Sequence, residues 1–64
     1  MKKNNKHYKF INGQTGYVIH YHSLADDLEE KQVKEELEKI RAQVAIKNGI
    51  YLETVYWEEE KDQN

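Results

Sequence analysis

Cysteine is missing from this chain, which excludes a disulfide framework and any thiolate zinc site. No apolar run approaches the ~18 residues of a membrane-spanning helix, so no membrane partner is expected. No apolar stretch follows Met1-Lys2-Lys3, so a secretory signal is not expected and the expected location is cytoplasmic. Ser23 is the only serine, and nucleophilic catalysis therefore has little to build on. Acidic residues are absent from the first 23 positions.

What is present is 64 residues, enough for one small domain. Hydrophobic residues make up 38% and charged residues 34%. That is too apolar for a disordered tail and thin for a globular core. Chains below ~70–80 residues rarely draw more than ~3–5 kcal/mol from a single core, and natural ones add a staple. With disulfides excluded and metal ligands poorly spaced, oligomerisation is the staple left. A homodimer, or a chain that orders on another protein, is the expectation.

Charge is unevenly placed. Residues 1–23 hold Lys2, Lys3, Lys6, Lys9 and three histidines, whereas residues 24–64 hold all twelve acids against six bases. A basic N-terminal segment thus precedes an acidic remainder, which opposes phosphate binding. The bias to lysine over arginine resembles that of small modulators and inhibitors from bacteria with AT-rich genomes and from their phages. That expectation rests on composition alone.

Along the chain, residues 1–6 read as a flexible basic N-terminus, 7–58 as the domain and 59–64 as an acidic disordered tail. His7–Ile11 and Tyr17–His22 are β-prone runs around Asn12-Gly13-Gln14-Thr15-Gly16, a dense turn signal, so they read as a β-hairpin. Its turn is either a two-residue Asn12-Gly13 turn or a longer loop with Gly16 left-handed. One residue of register decides which face of the first strand is buried, and that facing stays open. Val33, Leu37, Ile40 and Val44 recur at helical spacing. The helix is expected to start near Glu29–Glu30, with Leu28 packing on Val33 as a staple and acids at the positive end of the dipole; Ser23 and Asp26 are the alternative starts. Asn48-Gly49 is a left-handed stop. Ile50–Trp57 reads as a third strand, with Ile50, Leu52, Thr54 and Tyr56 facing the helix.

The order is β-β-α-β, an α+β domain with one long helix on one face of a three-stranded sheet. The strand order is either 2-1-3 or 1-2-3. One helix can cover one face only, and five tyrosines, one phenylalanine and one tryptophan cannot all fit beneath it. If Tyr17, Ile19 and Tyr21 face the helix, then Val18, His20, His22, Tyr51, Val55 and Trp57 form an uncovered, partner-binding face. Exposed aromatic patches of this kind mark interaction surfaces.

Other motifs carry less. His20 and His22 sit ~6–7 Å apart on one strand face, but zinc needs three or four ligands. No metal or other cofactor is expected. The Gly13–Gly16 segment lacks the spacing of a dinucleotide or phosphate loop. A chain this short leaves little volume for a ligand pocket of ~300 Å³. The expectation is therefore a non-catalytic protein-interaction module of regulator or inhibitor type. Its partner is a second copy of itself, an unidentified protein, or both. The alternative is nucleic-acid binding through Lys2, Lys3, Lys6 and Lys9 with aromatics stacking on bases.

Overall fold

The computed structural model describes residues 5–60. Two strands, β1 (Asn5–Asn12) and β2 (Val18–Ala25), are followed by the helix α1 (Glu30–Asn48). A one-turn 3-10 segment (Leu52–Thr54) then leads into β3 (Val55–Glu60). The sheet order is β2-β1-β3 and both pairings are antiparallel, so the first of the two expected orders is the one found. This is a β-β-α-β domain of the α+β class. The strands extend beyond the boundaries read from sequence: β1 begins at Asn5 rather than His7, and Glu59 and Glu60 belong to β3 rather than to a tail. The remaining terminal residues lie outside the described range.

The hairpin uses the longer of the two expected loops. Asn12 N–H donates to the Tyr17 carbonyl at 2.9 Å, and the Asn12 carbonyl accepts from Gly16 N–H at 2.7 Å. The Asn12 side chain closes the turn from inside, its Oδ1 accepting from Gln14 N–H at 2.9 Å. Gly16 carries the positive φ of 80° that the loop requires.

The helix follows its sequence signals closely. Glu29 is the N-cap, and Gln32 Oε1 accepts from Glu29 N–H at 3.2 Å, one arm of a capping box. Leu28 and Val33, both half-buried, occupy the two staple positions. Gly49 ends the helix with φ 66°. Its N–H reaches the Ile46 carbonyl at 3.2 Å, and Ile50 N–H reaches Ala45 at 3.0 Å, a Schellman pair. Ile50 then packs back on the core. Among the described residues, no helix is long and apolar enough to cross a membrane.

The core lies between α1 and one sheet face. Leu37, Ile40, Val44 and Ala45 come down from the helix to meet Tyr8, Phe10 and Val55 from the sheet. Arg41 ties the two layers: its Nε donates to the Val55 carbonyl at 2.6 Å and its Nη1 to Glu38 Oε1 at 3.2 Å.

The strand facings differ from the expectation, for two local reasons. The ladder between β1 and β2 slips at Phe10/Ile11, where Phe10 opposes His20 but Ile11 opposes Val18. Ile19 is the extra residue of a β-bulge, so consecutive Ile19 and His20 both lie on the helix side. The row shared by His20 and His22 therefore faces the helix and Tyr21 faces away, the reverse of the expected assignment. In the third strand, Leu52–Thr54 coil into the 3-10 turn, so the strand starts at Val55 and its phase inverts. Val55 and Trp57 face the helix, and Tyr56 faces away.

Candidate interaction surface

Pairing register assigns every strand residue to a face, because directly opposed residues in an antiparallel ladder share a side. On the helix side, His20, Phe10 and Trp57 form one cross-strand row, and His22, Tyr8 and Glu59 form the next. Ring centroids step along these rows at 6.1 Å from Trp57 to Phe10, 5.7 Å from Phe10 to His20 and 6.3 Å from His20 to His22.

On the opposite side, the row nearest the hairpin is Val18, Ile11 and Tyr56, and the next is Tyr21, Lys9 and Glu58. The third is Ser23, His7 and Glu60. No described element covers this face. Its hairpin end is apolar: Ile11 is only 5% exposed, while Val18, Tyr21 and Tyr56 around it are 37%, 64% and 44% exposed. The far end is polar. Lys9 Nζ lies 3.9 Å from Glu58 Oε1, and His7 Nδ1 shares a 2.7 Å hydrogen bond with Ser23 Oγ.

Of the six residues expected on an uncovered aromatic face, the structure puts only Val18 there. Val55 is fully buried against the helix, since it lies in the phase of Phe10 and Trp57. His20 and His22 lie on the helix side by the bulge, and Trp57 is half-buried beside Phe10. Tyr51 is exposed but precedes the 3-10 turn and belongs to no strand. Missing from the expected set were Ile11, Tyr21 and Tyr56. Three charges could have found Ile11 and Tyr56, whereas β2 has no such marker for Tyr21. Lys9 separates Tyr8 from Phe10 and marks the outward phase of β1, which Ile11 shares. Glu58 and Glu60 mark the outward phase of β3, which Tyr56 shares.

The two described lysines of the nucleic-acid alternative, Lys6 and Lys9, do not share a surface. Lys6 and Lys9 lie on opposite faces of β1, and Lys9 is beside Glu58. Lys2 and Lys3 lie outside the described residues.

Two open furrows flank the helix, larger than the chain length suggested. One, of about 720 Å³, runs between α1 and β3 past Tyr8, Leu37 and Trp57, with Lys31, Lys34 and Glu59 at its rim. Burial, and then the charge of Glu59, raise the Tyr8 hydroxyl above its ordinary pKa. The other, of about 360 Å³, lies between α1 and β2 and includes Ile19, His20, Gln43 and Lys47. Burial, followed by His22 and Lys47, pushes the His20 imidazole below its ordinary range. Among the described residues, no group of three or more His, Asp or Glu side chains is placed to hold a metal ion.

No protein-family model matches the chain, and neither does any curated protein or solved structure. Fold and surface together define the class: a small α+β domain with one sheet face packed against a helix and the other left open by the described elements.

Proposed function

We propose that the chain is a non-catalytic protein-interaction module, regulatory or inhibitory in type, that works by presenting the open sheet face to another protein. The observation that carries this reading is the apolar cluster at the hairpin end of that face. Ile11 is buried there although no described element covers it, and Val18, Tyr21 and Tyr56 surround it with exposed apolar area. A core of apolar and aromatic side chains within a polar rim is the usual anatomy of a binding patch. Lys9, Glu58, His7 and Glu60 supply that rim. Glu58 and Glu60 on the same face count against a nucleic-acid ligand.

The test is capture of a partner from a lysate of the cells that make the protein, with single-site variants as bait. Tyr56→Lys is expected to abolish capture, because it sets a charge in the middle of the apolar cluster. Ile46→Lys, on the exposed outer side of α1, is expected to leave it intact. Equal capture by both variants removes the open face from consideration.

A further inference from the structure

The two outer edges of the sheet are unlike. The free edge of β3 carries Glu58, Glu59 and Glu60 in succession. Two copies brought together there would set acid against acid, so that edge is protected against self-pairing. The free edge of β2 has no such guard. Between Lys9 and Asp26 the chain carries no Asp, Glu, Lys or Arg, although such residues make up 34% of the whole. Proline is absent too. Edge strands usually carry lysine, proline, an inward charge or a bulge, or are kept short. β2 is eight residues long, and its one irregularity sits near the hairpin. From His20 to Ala25 its register is unbroken.

We propose that a second copy of this chain pairs with the outer edge of β2, antiparallel about a two-fold axis, to make one continuous six-stranded sheet. A strand paired with its own copy meets its own side chains, so only an uncharged strand can do this without like-charge contacts. β2 meets that condition and β3 does not. The axis passes near Tyr21–Ser23, the middle of the regular stretch. Alternate backbone N–H and C=O groups that point outward from β2 then find partners in the other copy. Tyr21, 64% exposed in the single chain, comes beside Tyr21 or Ser23 of the partner and is covered. Both helices lie on the same side of the doubled sheet, and the two open faces become one. The pairing uses the sheet edge and shares Tyr21 with the open-face cluster, whereas Ile11, Val18 and Tyr56 stay outside it.

Sedimentation over a concentration series is the first measurement. The native chain is expected to sediment as a dimer. A chain with Tyr21→Lys and Ser23→Lys sets like charges across the axis, and its dissociation constant should rise about tenfold or more. Tyr56→Lys lies across the sheet from that edge and is expected to leave the dimer unchanged. The second measurement is amide exchange on the native chain. The outward-pointing amides of β2 should exchange slowly in concentrated solution and faster on dilution, which settles the matter even if the two lysines disturb folding. A native chain that stays monomeric at every concentration, a folded double variant that still dimerises, or a dimer dissolved by Tyr56→Lys overturns the proposal. Loss of partner capture in Tyr56→Lys with an intact dimer is expected if both readings hold, so the two can fail separately.

Discussion

Phe10 is the residue this domain can least afford to lose. Its side chain is fully buried on the central strand, against the rings of His20 and Trp57. Truncating a buried phenylalanine to alanine costs ~3–5 kcal/mol. A chain this small holds about that much in all. Phe10→Ala should therefore be largely unfolded near room temperature, as judged by loss of the far-ultraviolet helix signal and a red-shifted Trp57 emission. His20 gives a second prediction. Its pKa is lowered in the fold, so the unfolded chain binds the proton more readily. Its contribution is intact above the ordinary imidazole range near ~6.5 and is lost as pH falls through the lowered value. Between about pH 7.5 and 5.5, before the carboxylates titrate, the melting temperature should drop on acidification, and less so in His20→Gln. The sequence marks the inward facing of Phe10 only through the neighbouring Lys9, and it leaves no trace of the surroundings of His20. Phe10 sat in a strand whose facing was open, and His20 was placed on the wrong side because nothing in Tyr17–His22 announces an extra residue at Ile19.

At the level of elements, α1 was readable almost to the residue and the strands were not. The helix announces itself by a stripe from Val33 to Val44, by Leu28 and a run of acids at its start and by Gly49 at its end. Each is a local rule with its own physical cause. Strand facing depends instead on counting by twos, and a single bulge or turn upsets the count. The bulge did so in β2, and coiling of Leu52–Thr54 did so in β3. Gly13 marks another long-range constraint. Its N–H donates to the Thr54 carbonyl at 2.8 Å, and a Cβ there would sit 2.9 Å from the same oxygen. Arg41 joins helix to strand at the start of β3. Replacing it with methionine keeps much of the apolar stem but leaves the Val55 carbonyl without its charged donor. A loss of about 1–3 kcal/mol is expected in denaturant titration. Arg41→Lys should recover part of it.

For the molecule as a whole, one covered and one open face leave few buried side chains per residue, as expected of so short a chain. Association would supply stability that the single copy lacks. If β2 edges pair, the melting temperature should rise with protein concentration in the native chain and stay flat in the Tyr21→Lys, Ser23→Lys variant. Calorimetry at several loadings checks this. The overall architecture was legible, since β-β-α-β order with one helix leaves few arrangements. The choice between 2-1-3 and 1-2-3 turned on packing partners far apart in sequence. That chosen order has a further consequence for biogenesis. Of the described elements the central strand is translated first, yet its second neighbour comes last, after the whole helix. Until Val55 and Trp57 have left the ribosome, β1 has an open flank and Phe10 lacks one of its walls, so the nascent hairpin and helix should gain their native packing only as synthesis reaches β3.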